Sequence, residues 1–540
     1  MVEEVAVSVP CEKESDEKFI FAEICSALKK KGAAFDPKEA VPVLVKKSVD
    51  ARRKNIKLFL KYKVYIGENP SDEFQNVPKW KKAGAEKTVA IVGSGPAGLF
   101  GALKLLEYGI KPVIIERGCD VFKRKRDIAE ISRTKTVNEN SNYCFGEGGA
   151  GTFSDGKLFT RSSKRGNISG ILNIFIRFGA DKKIATDAHP HIGTDRLPAI
   201  VRSIRDFIVQ SGGEIHFETR CADFIIEERD GEKTAAGIVC ENVHTHEKKN
   251  LYADAVLLAA GHSAHDIYRL LASVSPESLE AKPFAMGVRV EHPRETIDLI
   301  QFHGRKNQSL GAAEYRLAAQ ADGRGVYSFC MCPGGFVVPS STGPEEIALN
   351  GMSAAGRNSK WSNAAVVVEI RPEDIPQEFI SKAKENGTEK IAGLLFRQHL
   401  EHLTFIHGEN QKAPAQRLED FLLKRKSDSL PESSYAPGLV SSALHEWLPA
   451  FISGRLHKAF RLFDRSMKGF VCSDALLVAS ETRTSTPVRI LRGKDSRECV
   501  FLRNLFPAGE GSGYSGGIVS SAIDGENSCV RIAEKLGCSK

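Results

Sequence analysis

Long apolar runs are missing from this chain of 540 residues, and none approaches the ~20 residues that a membrane-spanning helix requires. The first residues, MVEEVAVSVPCEKESDEKF, are acidic and lack the basic-then-apolar layout of a secretory signal. They also lack the Arg- and Ser-rich composition of a transit peptide. Internal repeats and low-complexity tracts are absent as well. The sequence therefore predicts a cytoplasmic protein without a membrane span.

Clustered cysteines are also scarce, because the 12 cysteines are scattered and only Cys330 and Cys332 form a close pair. Such a scatter in a large chain indicates reduced thiols and not a disulfide framework. His399, His402 and His407 lack neighbouring ligands at a recognisable metal-site spacing, so no metal is predicted. The net charge of +8 permits anionic substrates or nucleic acid but requires neither.

Residues 1–84 are predicted to form a small basic αβ domain whose first 20 residues or so are disordered. Apolar residues between Val41 and Val49 recur at helical spacing, and alternating apolar residues from 56 to 66 predict a strand. The polar stretch KWKKAGAEK is then predicted to be a linker. The basic side of the predicted helix is interpreted either as a solvated face or as a contact for RNA or an acidic partner. Its residues are Lys46, Lys47, Arg52, Arg53 and Lys54.

The clearest pattern in the chain follows the linker. TVAIVG is typical of a buried strand, GSGPAG of a turn, LFGALKLLEYG of a helix with one apolar face, and PVIIERG of a second strand. This order is one βαβ unit of a doubly wound parallel sheet. The predicted fold class is therefore α/β with a Rossmann-type dinucleotide-binding fold.

The turn Gly93-Ser94-Gly95-Pro96-Ala97-Gly98 matches G-x-G-x-x-G in the right context. In this motif the first glycine permits the tight turn, the second lets the backbone approach a pyrophosphate, and the third lets the helix pack closely on the strand. Glu116 ends the second strand, where a carboxylate binds ribose hydroxyls and repels a 2′-phosphate. The neighbouring Arg117 is included in the predicted site. FAD or NAD is expected here, and not NADP.

Later segments favour FAD over NAD. The strand AVLLAAG contributes Ala260 and Gly261. Near the carboxyl end, NLFPAGEGSGYSGGIVSSAIDG predicts a short strand, an acid and the start of a helix, the arrangement expected to hold the ribityl chain and the pyrimidine end of a flavin. The residues predicted to contact FAD in this segment are Gly509, Glu510, Gly516, Gly517 and Ile518.

At this point the chain resembles a known family, the FAD-dependent dehydrogenases related to flavoproteins of the geranylgeranyl-reductase and aromatic-hydroxylase type. The matching segments are FGEGGAGTFSDGKL, HIGTDRL, LLAAGHSAHDIY, YSFCMCPGG, ETRTSTPVRI and LFPAGEGSGYSGGIVSSAIDG. The resemblance implies an FAD fold with an inserted α+β substrate domain. The expected parts after the small N-terminal domain are 85–280 and 481–540 for the FAD-binding domain and 281–480 for the inserted domain.

The glycine-rich stretch from Phe145 to Leu158 is not a P-loop, because Gly156-Lys157 is followed by leucine instead of serine or threonine and no buried strand leads into it. The resemblance implies that this loop runs beside the flavin. A tight loop that serves only the fold is the alternative. The residues of this loop predicted to contact FAD are Gly149, Gly151, Thr152, Ser154, Asp155 and Lys157.

A second G-x-G-x-x-G in the right context is absent, as is an early redox cysteine pair, which argues against a disulfide-reductase type of chain. Any NADH or NADPH is therefore expected to bind transiently. Arg483, Thr484 and Ser485 are candidate contacts of the flavin ring. Cys330 and Cys332 are interpreted either as ordinary buried cysteines or as a redox-active or nucleophilic pair. Four histidines are weaker candidates: His189, His191, His262 and His265.

The predicted function is that of an FAD-dependent oxidoreductase, a dehydrogenase or reductase that transfers hydride to or from a small molecule. The alternatives are a flavin monooxygenase, an RNA-modifying flavoprotein that uses the basic N-terminal domain, and a flavin-holding sensor without turnover. Neither the substrate, the catalytic acid or base, nor the oligomeric state follows from the sequence.

Overall fold

The computed structural model describes residues 1–70, 77–160, 166–304 and 310–540. Within these ranges no helix has the length and apolar character that crossing a membrane demands.

The N-terminal unit is a three-stranded antiparallel sheet with one helix on its inner face. Its elements are β1 (Val2–Pro10), α1 (Glu17–Lys30), β2 (Ala40–Asp50) and β3 (Lys57–Ile66). β3 lies in the middle and pairs with both other strands. The buried side chains of α1 join those of β1 and β3 in one core. The unit is thus a β-α-β-β arrangement.

Two expectations for this unit are wrong. The first residues are not disordered, because Val5, Val7 and Val9 alternate along β1 and are buried in the core of the unit. The predicted helix is the edge strand β2. Its pairing with β3 shifts register between Leu44 and Lys46, and the extra residue turns the following side chains to the other face. This β-bulge produces apolar spacings of three and four residues, which resemble those of a helix.

Residues 85–280 begin with the predicted βαβ unit. The elements of this part are β4 (Thr88–Val92), α2 (Pro96–Glu107), β5 (Lys111–Ile115), α3 (Val121–Arg133), α4 (Ile168–Arg177), α5 (Leu197–Gln210), β6 (Glu214–His216), β7 (Thr219–Arg229), β8 (Glu232–Asn242), β9 (Lys248–Tyr252), β10 (Ala255–Leu258) and α6 (His265–Val274).

The next part is rich in strands. Its elements are β11 (Leu279–Ala281), β12 (Phe284–Pro293), α7 (Arg294–Gln301), β13 (Ala318–Ala321), β14 (Arg324–Cys332), β15 (Phe336–Pro339), β16 (Leu349–Met352), β17 (Trp361–Ile370), α8 (Gln377–Glu385), α9 (Ala392–Ile406), β18 (Ala413–Arg417), α10 (Leu418–Leu422), β19 (Leu439–Ser441), α11 (Leu444–Trp447), α12 (Ala450–Ser466), β20 (Leu476–Glu481) and β21 (Val488–Ile490). The chain ends with β22 (Leu505–Pro507) and α13 (Ile518–Lys535).

The parallel sheet has the strand order β22-β10-β4-β5-β6. The strand near the carboxyl end, β22, therefore joins the sheet beside β10, although some 250 residues separate them in the chain (505 − 255 = 250). α2 and α13 pack against each other and share a core with α4 and α5. The chain has the Rossmann-type FAD-binding fold that the sequence predicts.

A seven-stranded sheet, here called the inserted sheet, forms the second layer of the site. Its order is β13-β14-β17-β12-β20-β18-β19, and all its pairs are antiparallel except β18 with β19. The helices α9 and α12 pack on this sheet with buried apolar faces, and α8 packs on α9. β11 and β21 pair at the point where the chain leaves and re-enters the parallel sheet.

The predicted linker at residues 79–87 is packed against the FAD-binding fold. The ring of Trp80 lies 4.9 Å from that of Phe207 in α5 and 5.9 Å from that of Phe178 at the end of α4. The prediction of a linker overlooked this single aromatic anchor among polar residues.

Candidate functional site

One elongated cavity extends from the carboxyl ends of β4 and β10 to the inserted sheet, and it encloses about 1640 Å³ of empty space out to its mouth. This edge of an open parallel sheet is where such folds bind ligands. The predicted FAD contacts line this cavity, with the exceptions of Gly98, Thr152 and Gly516. Of the candidate catalytic residues, Cys330 and Arg483 line it and Cys332 does not.

The turn from Gly93 to Gly98 combines tight packing with one open position. Gly93 has φ +101°, and a Cβ there would lie 2.6 Å from the carbonyl oxygen of Ala259. A Cβ at Gly98 would lie 2.0 Å from the carbonyl oxygen of Gly93, which explains why Gly98 supports the turn without reaching the cavity. Beside Gly95, by contrast, the nearest atom to a Cβ is the Cα of Gly149, at 3.8 Å. The space next to Gly95 is therefore open to the cavity.

The first turn of α2 faces this open space. α2 begins at Pro96, and its N-cap residue Gly95 has no side chain with which to occupy the free N–H groups. Unpaired N–H groups and the positive end of the helix dipole attract an anion such as a pyrophosphate. The open space beside Gly95 and the N-terminal end of α2 together form a cradle of the size and charge that a dinucleotide requires.

Glu116 is buried at the end of β5 and lines the cavity. Its Oε2 accepts hydrogen bonds from the N–H (3.0 Å) and the hydroxyl (2.8 Å) of Ser94. Its Oε1 accepts hydrogen bonds from the N–H groups of Gly118 and Gly146, both at 3.0 Å. These four donors match the roughly four lone-pair sites of a carboxylate, so a ribose hydroxyl would have to replace the hydroxyl of Ser94.

The glycine-rich loop is built around Arg124 of α3, a residue that sequence reasoning missed. Arg124 is fully buried, and its guanidinium donates hydrogen bonds of 2.7–3.1 Å to five carbonyl oxygens of residues 142–149, at the start of the glycine-rich loop and directly before it. A Cβ at Gly146 would lie 2.4 Å from the Cδ of Arg124. Burial lowers the pKa of Arg124 to about 10, against the opposing charge of Glu116, so the group stays charged at neutral pH. The glycines of the loop thus allow it to wrap a cation and to approach Gly95.

The side of the cavity next to β5 carries Arg117 and Arg220. The guanidinium of Arg117 stacks 4.3 Å from the ring of Phe145 and contacts Asp266 at 3.2 Å. Arg220 contacts Glu241 at 2.9 Å. No sequence motif indicates Arg220. It lies on β7, which comes next to this site only because of the way the chain turns after β6.

The inserted sheet closes the other end of the cavity with charged side chains. Arg289 of β12 is fully buried and donates to Glu481 of β20 at 2.5 Å and to the carbonyl oxygen of Cys330 at 2.9 Å. Burial raises the pKa of Glu481 to about 7, while the charge of Arg289 opposes the rise. Lys157 of the glycine-rich loop reaches this end and contacts Asp155 at 3.0 Å. Loop and sheet therefore share one charged cluster.

Arg483 lines the cavity, but its guanidinium is held from behind. It donates to both carboxylate oxygens of Glu401 at 2.9 and 2.8 Å and to the hydroxyl of Thr342 at 2.9 Å. Its other nitrogen lies 3.4 Å from the sulfur of Cys144. Thr484 also lines the cavity, whereas Ser485 is not among the residues that line it.

The four candidate histidines divide between two places. His262 lines the cavity, with Nδ1 3.4 Å from Glu510, and His265 is buried behind it against Arg397. His189 binds Glu314 at 2.8 Å and His191 binds the carbonyl of Ala355 at 3.2 Å, both away from the cavity lining. Nowhere in the described ranges do three or more His, Cys, Asp or Glu side chains form a group able to hold a metal ion.

Five residues of the cavity wall have a buried polar atom without a hydrogen-bond partner among the described residues. These atoms are Arg117 Nε, Asp155 Oδ1, Arg220 Nε, Ser340 Oγ and Thr484 Oγ1. A buried polar atom without a partner is costly, so such atoms point to a ligand that supplies the missing bonds. They are distributed along the whole cavity, and their spread fits a long polar ligand such as FAD.

Two family models match the chain. The model of an FAD binding domain matches residues 86–139, and the model of the C-terminal domain of FAD-dependent proteins matches residues 283–484. An uncharacterized protein of Clostridium beijerinckii is 39% identical over 518 residues, which is 92% of this chain and 93% of that protein.

Solved structures with a similar fold include an FAD complex of glycerol-3-phosphate dehydrogenase from Bacillus halodurans, at 11% identity and a TM-score of 0.35. The match covers 85% of this chain and 66% of that enzyme, so the chain spans just under two thirds of its length. A geranylgeranyl bacteriochlorophyll reductase-like protein from Thermoplasma acidophilum matches at 11% identity and a TM-score of 0.33, over 84% of this chain and 80% of that one.

Proposed function

Because the chain belongs to the family of FAD-dependent proteins, we propose that this FAD-dependent oxidoreductase holds FAD along the cavity and transfers hydride between the flavin and a small molecule. The small molecule docks against the inserted sheet. One observation carries the proposal, namely that a single cavity joins the open backbone at Gly95 to the charged cluster of the inserted sheet.

Bound FAD would supply two-electron redox chemistry at the level of a hydride. The residues of the chain position it. The N–H groups at the start of α2 would hold the pyrophosphate beside Gly95, and Glu116 would accept a hydrogen bond from a ribose hydroxyl in place of the Ser94 hydroxyl. Arg117 and Arg220 use their unpartnered Nε atoms toward the adenosine part.

The inserted-sheet end of the cavity has the electrostatics that a hydride transfer needs. Lys157 and Arg289 place positive charge there, which stabilises the negative charge of a reduced flavin. Glu481 lines the same end, and its pKa of about 7 lets its carboxyl oxygen take up or release a proton near neutral pH. We therefore assign residues 281–480 as the substrate domain, with Glu481 at its border as the proton-exchanging group.

The test is an anaerobic titration of the purified chain. We expect a flavin absorption band that NADH or NADPH bleaches, and the preferred nicotinamide identifies the donor. A flavin band that neither nicotinamide bleaches would shift the electron donor to the substrate or to a protein. A colourless chain that added FAD does not restore would contradict the proposed function.

A glycine substitution tests the position of FAD. Gly95 has ordinary backbone angles (φ −70°, ψ −177°) and open space where a side chain would project, so Gly95→Leu should fold and fill the pyrophosphate position. We expect the variant to lose bound FAD while its circular dichroism matches that of the parent chain. Full retention of FAD by Gly95→Leu would exclude this path for the cofactor.

A further inference from the structure

The end of β14 departs from regular strand geometry at Cys330. Cys330 has φ +45°, a left-handed conformation, and the pairing of β14 with β17 shifts register between Phe329 and Cys332. A residue other than glycine is strained in this conformation, and such residues concentrate at functional sites. The irregularity directs Cys330 to the cavity while Cys332 is fully buried behind it.

The two cysteines lie against each other. The Cys332 thiol donates a hydrogen bond of 3.3 Å to the carbonyl oxygen of Cys330. Residues i and i+2 of a regular strand share a face but not a contact. Here the left-handed conformation of Cys330 accompanies a direct hydrogen bond between the two residues.

Two cations surround this pair. Lys157 Nζ lies 3.8 Å and Arg289 Nη2 lies 3.9 Å from the sulfur of Cys332. The neighbouring Cys332 thiol and the charges of Lys157 and Arg289 outweigh burial and lower the pKa of Cys330, whereas the neighbouring Cys330 and burial raise the pKa of Cys332. The pair therefore favours one thiolate, at Cys330, and one thiol, at Cys332.

An ordinary structural role does not account for this arrangement. A buried free cysteine usually packs as a small apolar side chain, and burial then raises its pKa. Cys529 of α13 is such a residue, since it is fully buried and its pKa is raised by burial. The Cys330 pair instead combines two nearby cations, a hydrogen bond from the Cys332 thiol to the Cys330 carbonyl, a left-handed backbone and access to the cavity.

We propose that Cys330 and Cys332 form a redox-active dithiol that exchanges two electrons with FAD. This proposal rests on the proposed function, because FAD must occupy the cavity that Cys330 lines. In the oxidising direction the Cys330 thiolate and the Cys332 thiol form one Sγ–Sγ bond. The S–H bond of Cys332 breaks, and its proton and two electrons pass to FAD, so the net charge of −1 moves from the thiolate to the reduced flavin.

The reverse step regenerates the thiolate and the thiol. The chain would thus store two electron pairs, one on the flavin and one on the dithiol. Lys157 and Arg289 keep the step reversible, because they stabilise the single negative charge whether it lies on the dithiol or on the flavin and so do not tie it to one of them.

The electron capacity of the full-length chain tests the proposal. The protein is oxidised with excess ferricyanide, desalted, and titrated anaerobically with dithionite while the flavin band is followed. We expect two equivalents of dithionite per FAD for the parent chain, and one for each of the variants Cys330→Ser and Cys332→Ser. The matched control is Cys25→Ser on α1, which should keep two equivalents.

A mass measurement reads the thiols directly. Trypsin releases residues 325–357 as one peptide, because Arg324 and Arg357 bound it and no lysine or arginine lies between, and Cys330 and Cys332 are its only cysteines. After oxidation, denaturation and alkylation we expect this peptide without alkyl groups and two hydrogens lighter. After reduction it should carry two alkyl groups.

The outcomes separate the dithiol from the flavin. A chain with a flavin band that takes up one equivalent, and whose oxidised peptide still carries two alkyl groups, overturns the dithiol and leaves the proposed function standing. A chain without a flavin band, recognised before any titration, overturns both. Two equivalents in Cys330→Ser and Cys332→Ser would also overturn the assignment to this pair.

Discussion

Arg124 shows how one residue can determine the shape of a cofactor loop. Its guanidinium is bound to five carbonyl oxygens and to no carboxylate, so the loop carbonyls themselves compensate the buried charge. The glycine-rich loop wraps around this group, and Gly149 then lies close to Gly95 at the mouth of the turn. The loop therefore depends on a residue about 20 positions before it.

We predict that Arg124→Lys lowers the affinity for FAD by at least about tenfold. An ammonium group has three donors and cannot reach five carbonyls spread over a planar fork, so at least two buried carbonyls lose their partner, at a cost of about 1–3 kcal/mol each. FAD titration followed by flavin fluorescence measures the change. Arg126→Lys, on the exposed side of the same helix, is the control and should bind FAD as the parent chain does.

An unchanged affinity in Arg124→Lys, with an unchanged melting temperature, would contradict this account of the loop. A loss of affinity in both variants would mean that the charge of α3 acts at long range and that the five hydrogen bonds are not the cause.

At the scale of elements, the packing of α2 on β4 depends on Gly98. We predict that Gly98→Ala destabilises the chain and loses FAD, because the added Cβ would lie 2.0 Å from the carbonyl oxygen of Gly93 and must push the helix off the strand. The control is Gly454→Ala in α12, where no atom lies within 4 Å of the new Cβ. That variant should gain about 0.5–1 kcal/mol of helix stability.

Thermal melting and FAD content measure both variants. If Gly98→Ala melts and binds FAD like the parent chain, the close contact of α2 with the turn is not required.

The elements also show which features the sequence can predict. The βαβ unit from Thr88 to Ile115 is confirmed, because a buried strand, a glycine turn and an amphipathic helix follow one another locally. The edge strand β2 was mistaken for a helix, because the bulge near Leu44 disturbs the alternation. The alternation of apolar residues does predict the strand β1, but the acidic residues between them led to the prediction of disorder.

The site residues also divide into those that a local sequence motif predicts and those that only the fold brings together. The predicted contacts in the turn and the glycine-rich loop meet at one cavity because each motif is local. The cluster of Arg289, Glu481 and Cys330 could not be predicted, because β12, β20 and β14 supply one residue each and only the order of the inserted sheet brings them together.

For the whole molecule, the junction between the N-terminal unit and the FAD-binding fold is ordered by a few contacts. The N–H of Lys47 in β2 donates to the carbonyl of Thr186 at 2.8 Å, and the N–H of Ala188 donates back to the carbonyl of Lys47 at 2.9 Å. The larger contact is Trp80, whose ring packs against Phe178 and Phe207. The fold of the FAD-binding part thus extends back to Trp80.

We therefore predict different results for two truncations that differ by eight residues. Removal of residues 1–76 keeps Trp80 and should leave FAD binding within about threefold of the parent chain, since the hydrogen bonds that it breaks, to Thr186, Ala188 and His303, lie away from the cavity. Removal of residues 1–84 also exposes Phe178 and Phe207, so the melting temperature of this longer truncation should be lower by several degrees than that of the shorter one.

Calorimetry and FAD titration compare the two truncations, with Trp80→Ala in the full chain as the control that removes the ring alone. Equal melting temperatures for the two truncations would mean that the aromatic contact does not stabilise the FAD-binding fold, whereas a matching decrease in Trp80→Ala would assign the difference to that ring.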